Sequence, residues 1–342
     1  MRRNVLVTGG AGYIGSHTCL ALIRAGWNPI VLDNFSNSSA LSVDRIRELS
    51  GENVTLVEGD IRDIDLCTRV LREHKCTSVI HFAGLKAVGE SQERALEYYD
   101  VNVVGSHSLL NAMSVVGIEQ IVFSSSATVY GAPQSLPITE DHPLGPTNPY
   151  GQTKLAVENL IRDVAGSSTR LQYGILRYFN PVGAHSSAKI GEDPKGKPNN
   201  LMPFIAQVAV GRRDLLTVFG GDYDTRDGTG VRDYIHVSDL AEAHVCALQK
   251  LSESESSYVV NLGTGNGYSV LEVISAFSEA SGVAIPHEIA ERRPGDVATV
   301  YADVSYAQKL LGWKAERGLK EMCRDHWEWQ KDNPTGYSAE RT

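Results

Sequence analysis

The sequence predicts an α/β protein built on a doubly wound parallel sheet, with a smaller mixed α/β lobe towards the C-terminus. Three observations support this fold class. Short runs rich in Val and Ile alternate with longer helical patterns from the N-terminus onward. These runs show little polar alternation, which is typical of strands that helices cover on both faces. The first run also passes through several glycines directly into a helical pattern, as β-α turns of such sheets do.

Six strands are predicted in the first part of the chain, at residues 4–8, 28–33, 53–60, 77–84, 120–126 and 171–180. After Asn180 the alternation fails, and a stretch with several Gly and Pro precedes a helix at residues 201–211. Residues 235–251 then predict a helix and residues 258–263 a strand that returns to the sheet. We therefore expect residues 1–180 and 233–265 to form the main domain. Residues 181–232 and 266–342 would form the smaller lobe.

Composition excludes several classes of function. With 342 residues and 42% hydrophobic content, the chain can bury a large core. The net charge of −9 is spread without a basic run, which argues against nucleic acid or an anionic membrane as a partner. Five cysteines without a C-x-x-C pair predict neither a disulfide framework nor a metal site, and favour a reducing cytoplasm. We find no signal-peptide pattern and no apolar run of membrane-spanning length.

The segment TGGAGYIG (residues 8–15) follows the first strand and opens a helix. Its glycines Gly9, Gly12 and Gly15 would let the backbone approach a pyrophosphate, and the helix N-terminus offers free N–H groups. Asp33 ends the second strand, where a carboxylate binds an adenosine ribose hydroxyl and repels a 2′-phosphate. This context predicts NAD rather than NADP as cofactor. The alternative is a tight turn without a ligand.

A second motif is the stretch NPYGQTK, residues 148–154. Pro149 suits the first position of a helix, so Tyr150 and Lys154 are expected one turn apart on one face. Using a tyrosine as a base near neutrality requires stabilising its phenolate by roughly 4 kcal/mol, whereas an ammonium about 6 Å away supplies roughly 2 to 3 kcal/mol. The oxidised nicotinamide of a bound NAD would supply the second positive charge. For an isolated tyrosine-lysine pair, an ordinary amphipathic helix start is the default interpretation.

Three serines, Ser124, Ser125 and Ser126, end the fifth strand. Their hydroxyls can orient a substrate oxygen, although serines at a strand end are commonly only turn formers. The histidines lack paired ligand spacing, so we expect no metal.

Taken together, the motifs resemble those of the UDP-galactose 4-epimerase family of extended short-chain dehydrogenases/reductases. The resemblance covers nearly the whole chain. TGGAGYIG and the tyrosine-lysine pair identify only the superfamily, whereas HFAGLKAVGES and GTGVRDYIHV are more specific. The other matching strings are TGGAGYIGSH, SSSATVYG, PYGQTK, LRYFNPVGAH and PNNLMP.

The resemblance implies that the main domain is a Rossmann-type NAD-binding domain and that the smaller lobe binds the UDP-sugar. Its catalytic residues would be Tyr150, Lys154 and Ser126. The implied NAD contacts are Gly9, Gly12, Tyr13, Ile14, Gly15, Asp33, Asn34, Asp60, Ile61, Phe82, Ala83, Lys86, Asn102, Ser124, Tyr150, Lys154 and Tyr178. The implied UDP-sugar contacts are Ser126, Tyr150, Asn180, Asn200, Leu201, Phe219, Arg232, Arg293, Asp296 and Val300.

Physical chemistry is consistent with some of these assignments. Arg232 and Arg293 suit forked hydrogen bonds to a diphosphate, and asparagine side chains both donate and accept. Without the resemblance, the arginines and Lys86 would be read as surface charges and Phe219 as a core residue.

The family mechanism implies that Tyr150 takes the proton of the sugar 4-hydroxyl while hydride passes from C4 to NAD⁺. A 4-keto sugar then turns over and takes the hydride back on its opposite face, so NAD must be tightly bound. The resemblance also implies a homodimer formed through helices around residues 91–116 and 150–165.

A 4,6-dehydratase would need an acid pair where this chain has Ser126-Ala127-Thr128. A net dehydrogenase or a decarboxylase lacks the epimerase-specific strings, and an NAD-sensing binding protein typically lacks the tyrosine or the lysine.

The resemblance also bears on substrate range. Family members restricted to unacetylated UDP-hexoses carry a tyrosine four residues after the aspartate that matches Asp296, and this chain has Val300 there. The smaller side chain predicts room for an N-acetyl group, and hence turnover of UDP-GlcNAc and UDP-GalNAc. The alternative depends on register, because Tyr301 is adjacent and neighbouring residues of a strand point to opposite faces.

Overall fold

The computed structural model describes residues 2–167, 170–196, 198, 200–254, 256–293 and 295–337. A parallel seven-stranded sheet forms its centre, in the order β10-β6-β5-β4-β1-β2-β3. Its strands are β1 (Asn4–Thr8), β2 (Asn28–Asp33), β3 (Thr55–Glu58), β4 (Cys76–His81), β5 (Gln120–Ser126), β6 (Gln172–Tyr178) and β10 (Tyr258–Leu262). The predicted doubly wound fold is therefore confirmed.

Helices cover both faces of this sheet, which explains the unbroken apolar runs: Val5, Leu6 and Val7 are consecutive and all fully buried. One face packs against α1 (Tyr13–Arg24), α2 (Ala40–Ser50), α9 (Val237–Glu253) and α11 (Ser305–Leu311). The other packs against α3 (Ile64–Glu73), α6 (Gly105–Val116) and α7 (Pro149–Gly166). Shorter segments are α4 (Val88–Glu93), α5 (Ala95–Tyr98), a π-helical turn (Tyr99–Val104) and a 3₁₀ turn (Ala127–Tyr130).

The strand order reverses direction between β1 and β4, because the chain runs from β1 outward to β3 before it crosses back. In open parallel sheets, the crevice outside the carboxyl ends of the strands at such a point is where ligands bind.

Outside the main sheet, the described residues form two minor sheets. Strand β9 (Val231–His236) pairs with β7 (Asn180–Val182), β11 (Gly267–Ser269) and β13 (Thr299–Val300), while β8 (Leu216–Phe219) pairs with β12 (His287–Ala290). Their apolar side chains pack with α8 (Leu201–Ala209), α10 (Val270–Ser281) and α12 (Leu319–Asp332).

The predicted helix at residues 235–251 begins too early. Ile235 and His236 are the last residues of β9, and the helix starts at Val237. Arg232 and the buried Asp233 interrupt the apolar pattern of β9, so the sequence does not indicate a strand there. The Asp233 carboxylate accepts backbone hydrogen bonds from Thr264 and Gly265, at 2.8 and 3.0 Å, and thereby ties β9 to the segment after β10. The segment 233–265 thus begins in the minor sheet and enters the main sheet only at β10; its assignment to one domain stays a prediction.

Within the described part of the chain, we find no helix that is long and apolar enough to span a membrane.

Candidate functional site

The carboxyl ends of the central strands open into a cavity that the loop after β7 also lines. Every implied NAD contact except Asn102 lines this first cavity. A second cavity, lined by residues of β7, β8, β9 and α8, adjoins it, since Asn180, Pro181 and Asn200 line both. The structure therefore brings residues from distant parts of the chain to one continuous cleft.

The glycine segment forms the cavity floor, and its glycines are required sterically. Gly9 has a positive φ of 68°, and a Cβ there would lie 2.7 Å from the Ala83 nitrogen. A Cβ on Gly15 would lie 2.3 Å from the Gly9 carbonyl oxygen. Helix α1 starts within this segment, at Tyr13, and its N-cap residue Gly12 provides no side-chain hydrogen bond. The first-turn N–H groups therefore remain available for an anion, so this segment fits a dinucleotide pyrophosphate.

Asp33 lies at the carboxyl end of β2, as predicted, and is buried. Its Oδ2 accepts the Ala11 N–H at 3.0 Å, and its Oδ1 accepts from Phe35 N–H and the Ser38 hydroxyl at 3.0 and 2.7 Å. A carboxylate offers about four acceptor sites, so one remains for a ribose hydroxyl. The neighbouring Asp60 accepts from Asn34 at 2.8 Å, and hydrogen bonds from Arg62 lower the pKa of Asp60 to about 2.

Tyr150 and Lys154 are held at the start of α7. Pro149 occupies the first turn of the helix, and the Asn148 side chain caps it by accepting the Gly151 N–H at 2.9 Å. Both Tyr150 and Lys154 are buried, and the Lys154 Nζ lies 5.9 Å from the centroid of the Tyr150 ring. The ammonium also donates to the Ser124 carbonyl at 2.7 Å. The lysine is thus fixed beside the phenol, one helical turn away, as the sequence predicts.

Burial makes the tyrosine a weaker acid than the sequence argument assumed. It raises the pKa of Tyr150 to about 12, which a hydrogen bond with the Ser126 hydroxyl partly opposes. It also lowers the pKa of Lys154 to about 8, against the attraction of Glu158. Lowering the pKa of Tyr150 to near pH 7 then requires roughly 7 kcal/mol rather than 4. This pKa is that of the protein with Lys154 in place, so a second cation in the cavity matters more than expected.

The three serines of β5 have different environments because strand residues alternate. Ser124 and Ser126 line the cavity, while the buried Ser125 hydroxyl donates to Glu158 at 2.6 Å on the opposite side. Ser124 also shares a short hydrogen bond with Tyr178. Sequence reasoning missed Thr128, whose hydroxyl donates to the Ser126 Oγ at 3.0 Å.

Asn102 supports the cavity wall instead of lining it. Its amide donates to the Leu85 carbonyl at 3.1 Å and to the Thr153 hydroxyl at 3.0 Å, and its oxygen accepts the Leu85 N–H at 2.7 Å. Asn102 thus holds the segment that carries Lys86.

The second cavity combines cations with an exposed aromatic ring. The Arg293 guanidinium carbon lies 4.9 Å from the Phe219 ring centroid, and its Nε contacts Asp296 at 2.9 Å. Arg232 donates to the Val231 carbonyl at 2.9 Å. The remaining residues here from the implied UDP-sugar set are Asn180, Asn200 and Leu201.

Val300 lines neither cavity directly. It lies in β13 opposite Arg232 and packs against a cluster that includes Tyr130 and Phe179. Phe179 in turn lines the first cavity. Tyr301 lies on the other side, because a Cβ on Gly267 would be 3.7 Å from its ring.

Sequence reasoning also missed residues that line the cavity from the loop after β7 and from near the C-terminus. These are Gly191, Glu192, Asp193, Pro194 and Tyr337. The acidic pair in the string GEDP was the available signal, but its position depends on how the two lobes pack. Residues 197 and 199 of the same loop, the latter in the PNNLMP string, lie outside the described residues.

Comparisons with known proteins identify the family. The family model described as GDP-mannose 4,6 dehydratase matches residues 6–326. The UDP-glucose 4-epimerase of Bacillus subtilis (strain 168) is 56% identical over 335 residues, which cover 98% of this chain and 99% of that protein.

Solved structures give the same picture. The UDP-glucose-4-epimerase of Stenotrophomonas maltophila, with bound NAD and formylated UDP-arabinopyranose, superposes with a TM-score of 0.96 at 52% identity. The match covers 97% of this chain and 99% of that one. The UDP-Glc/GlcNAc 4-epimerase of Campylobacter jejuni has a TM-score of 0.84 at 37% identity, covering 96% and 99%.

Proposed function

The chain belongs to the UDP-glucose 4-epimerase family, and on this basis we propose that it interconverts UDP-glucose and UDP-galactose at the Tyr150–Lys154 site. It is an NAD-dependent isomerase. The observation that carries the proposal is that one cavity holds the glycine segment, Asp33, Tyr150 and Lys154 together. Gly9 and Gly15, where a side chain would clash with neighbouring backbone atoms, support the binding of NAD in particular.

Bound NAD supplies a hydride acceptor and donor at this site. Tyr150 holds and returns the proton of the sugar 4-hydroxyl, and the Ser126 hydroxyl beside it orients that oxygen. Lys154 lowers the free energy of the phenolate through its charge and is kept in place by the Ser124 carbonyl. Burial of both side chains keeps water from screening this interaction.

In the second cavity, Arg232 and Arg293 provide positive charge for a diphosphate, and Phe219 offers a flat apolar surface for a base. Holding the nucleotide there leaves the hexose at the junction of the two cavities, next to Asn180 and Asn200. Because the nucleotide stays bound, the hexose can rotate in the site without dissociating from the protein.

The description of the matching family model names a dehydratase. A dehydratase reaction needs an additional carboxyl group beside the tyrosine. The 3₁₀ turn that follows Ser126 carries Ala127 and Thr128 instead. Elimination therefore lacks its acid and base here.

The substrate range extends, in our proposal, to UDP-GlcNAc and UDP-GalNAc. Val300 packs with Phe179 at the border of the first cavity, while Tyr301 faces Gly267 on the opposite side. A tyrosine at position 300 would extend past this cluster towards the sugar, whereas valine leaves that space free. The Campylobacter jejuni relative, described as a UDP-Glc/GlcNAc 4-epimerase, supports this range.

Replacing Val300 tests this proposal. Val300→Tyr should lose turnover of UDP-GalNAc while keeping that of UDP-galactose, and Tyr301→Phe is the control on the opposite face. Undetectable turnover of UDP-GalNAc by the wild-type protein would contradict the extended range.

We further propose a homodimer in a reducing compartment, the cytoplasm. Leu96 is 89% exposed, and Tyr99 and Val104 are also exposed, which gives the segment after α4 an apolar surface typical of a protein contact. The five cysteines are free thiols. Sedimentation equilibrium should give twice the chain mass, and Leu96→Lys should weaken the association. A monomer at micromolar concentration would contradict the dimer.

The activity itself is tested with purified protein and UDP-galactose, without added NAD. We expect UDP-glucose to form, and denaturation after gel filtration to release NAD. A protein that needs excess added NAD would contradict tight cofactor binding.

A further inference from the structure

Glu192 is a buried carboxylate at the boundary of the two lobes. It belongs to the loop after β7, its side chain is 3% exposed, and it lines the first cavity. Its Oε1 accepts from Lys86 Nζ at 3.1 Å and from Asn200 Nδ2 at 3.2 Å. Trp329 of α12 donates to its carbonyl at 3.3 Å. One carboxylate oxygen therefore holds two side chains that are far apart in sequence.

These two side chains serve different ligands under the proposed function. Lys86 follows β4 in the main domain and lines only the first cavity. Asn200 is the N-cap residue of α8 in the smaller lobe and lines both cavities. Glu192 thus connects a residue beside the NAD site with a residue beside the UDP-sugar site.

The charge of Glu192 calls for a functional explanation. Its second oxygen, Oε2, is buried without a hydrogen-bond partner among the described residues. A buried carboxylate with one unpaired oxygen destabilises a fold, and a neutral side chain at this position would avoid the burial of a charge. Lys86 is 41% exposed, and its Nζ is held by the carboxylate and lies 5.9 Å from the Tyr13 ring centroid.

The loop that carries Glu192 makes further contacts across the cleft. Lys195 Nζ donates to the Phe35 carbonyl at 2.5 Å, and Lys189 forms an ion pair with Glu48 of α2. These contacts lie on the adenosine side of the predicted NAD site, beyond Asp33. Movement of the smaller lobe away from the main domain would have to break them together with the Glu192 contacts.

We propose that Glu192 is a positioning residue that couples the NAD and UDP-sugar sites. When a UDP-sugar engages Asn200, Glu192 holds Lys86 in place and keeps the loop closed over NAD, so nucleotide binding tightens NAD binding and slows its release. By thermodynamic linkage, NAD raises the equilibrium affinity for the nucleotide by the same factor. This inference rests on the proposed function, because it assumes NAD and a UDP-sugar as the two ligands.

The test measures release of bound NAD by exchange with isotopically labelled NAD, with and without UDP. We expect UDP to slow release from the wild-type protein. Glu192→Gln should lose most of this response and raise the KM for UDP-galactose about tenfold, which is the effect of losing one charged hydrogen bond. Its kcat should change much less, because Tyr150 and Lys154 are untouched.

Two further variants distinguish coupling from a structural role. Lys86→Met removes the exposed partner without opening the core, and should lose the same response to UDP; the double variant should be no worse than Glu192→Gln alone. Glu279→Gln, which removes a carboxylate from the exposed pair with Lys320, is the matched control and should behave as wild type.

A wild-type response to UDP in both Glu192→Gln and Lys86→Met would overturn the inference, and so would lower thermal stability with unchanged KM and NAD release. Failure of the proposed function would appear separately, as a wild-type protein that does not convert UDP-galactose.

Discussion

Replacing Lys154 with methionine should shift the acidic limb of the pH–rate profile to higher pH by about 2 pH units. The Lys154 Nζ is 5.9 Å from the Tyr150 ring centroid, and both side chains are buried. At an effective dielectric constant of about 20, one charge at this distance is worth about 3 kcal/mol. The cation stabilises the phenolate, so its removal raises the pKa of Tyr150. Activity that requires the phenolate then appears only at higher pH.

The assay is kcat/KM for UDP-galactose across the pH range, corrected for the NAD content of each sample. Below the shifted limb, the variant should be about 100-fold slower than wild type. Lys320→Met, at an exposed position remote from the cavity, is the control. An unchanged limb in Lys154→Met would refute the electrostatic role of the lysine.

The same substitution should increase the stability of the NAD-free protein. Burial lowers the pKa of Lys154 to about 8, so the folded state disfavours the charged form near neutral pH. Methionine has a similar shape without this cost. A higher urea midpoint for Lys154→Met would therefore show that its slower turnover comes from the lost stabilisation of the phenolate and not from unfolding.

Three other predictions follow from the same geometry. Tyr150→Phe should reduce kcat by about 10² to 10⁴-fold while keeping bound NAD and UDP-galactose binding, and more than about a tenth of the wild-type rate would count against its role. Asp33→Ala should weaken NAD binding and reduce the preference for NAD over NADP. Equilibrium titration with both cofactors measures this preference, and an unaltered preference would contradict the ribose role of Asp33. Acid should destabilise the fold: burial lowers the pKa of His17 and His81 to about 3, so the unfolded chain takes up protons that the folded state does not. Stability should fall as pH falls below about 6.5, the usual value for histidine, and an equal urea midpoint at about pH 5 and at neutral pH would contradict this.

The parts of the site that the sequence predicts well are those in which local spacing determines the geometry. Gly9 and Gly15 follow a strand and open a helix, so the backbone path is set by the turn itself. Tyr150 and Lys154 lie one helical turn apart because Pro149 starts the helix. Strand ends at Asp33 and Ser126 also agree between sequence and structure.

Features that depend on tertiary packing were not predictable in this way. The proximity of Glu192 to Lys86 and Asn200 arises only when the loop after β7 packs against the segment after β4 and the start of α8. The buried strand that carries Asp233 was missed because its charged residues are paired by segments distant in sequence. The pKa of Tyr150 depends on how deeply the ring is buried, which spacing alone does not give.

The central claim is that the sugar C4 hydrogen leaves and returns within one turnover. The most direct measurement uses UDP-galactose deuterated at C4, incubated with purified protein without added cofactor, followed by mass analysis of the UDP-glucose formed. We predict that the product keeps the deuterium at C4 in ordinary water. Loss of the label to solvent, or a product that retains the galactose configuration, would contradict epimerisation by reversible hydride transfer at this site.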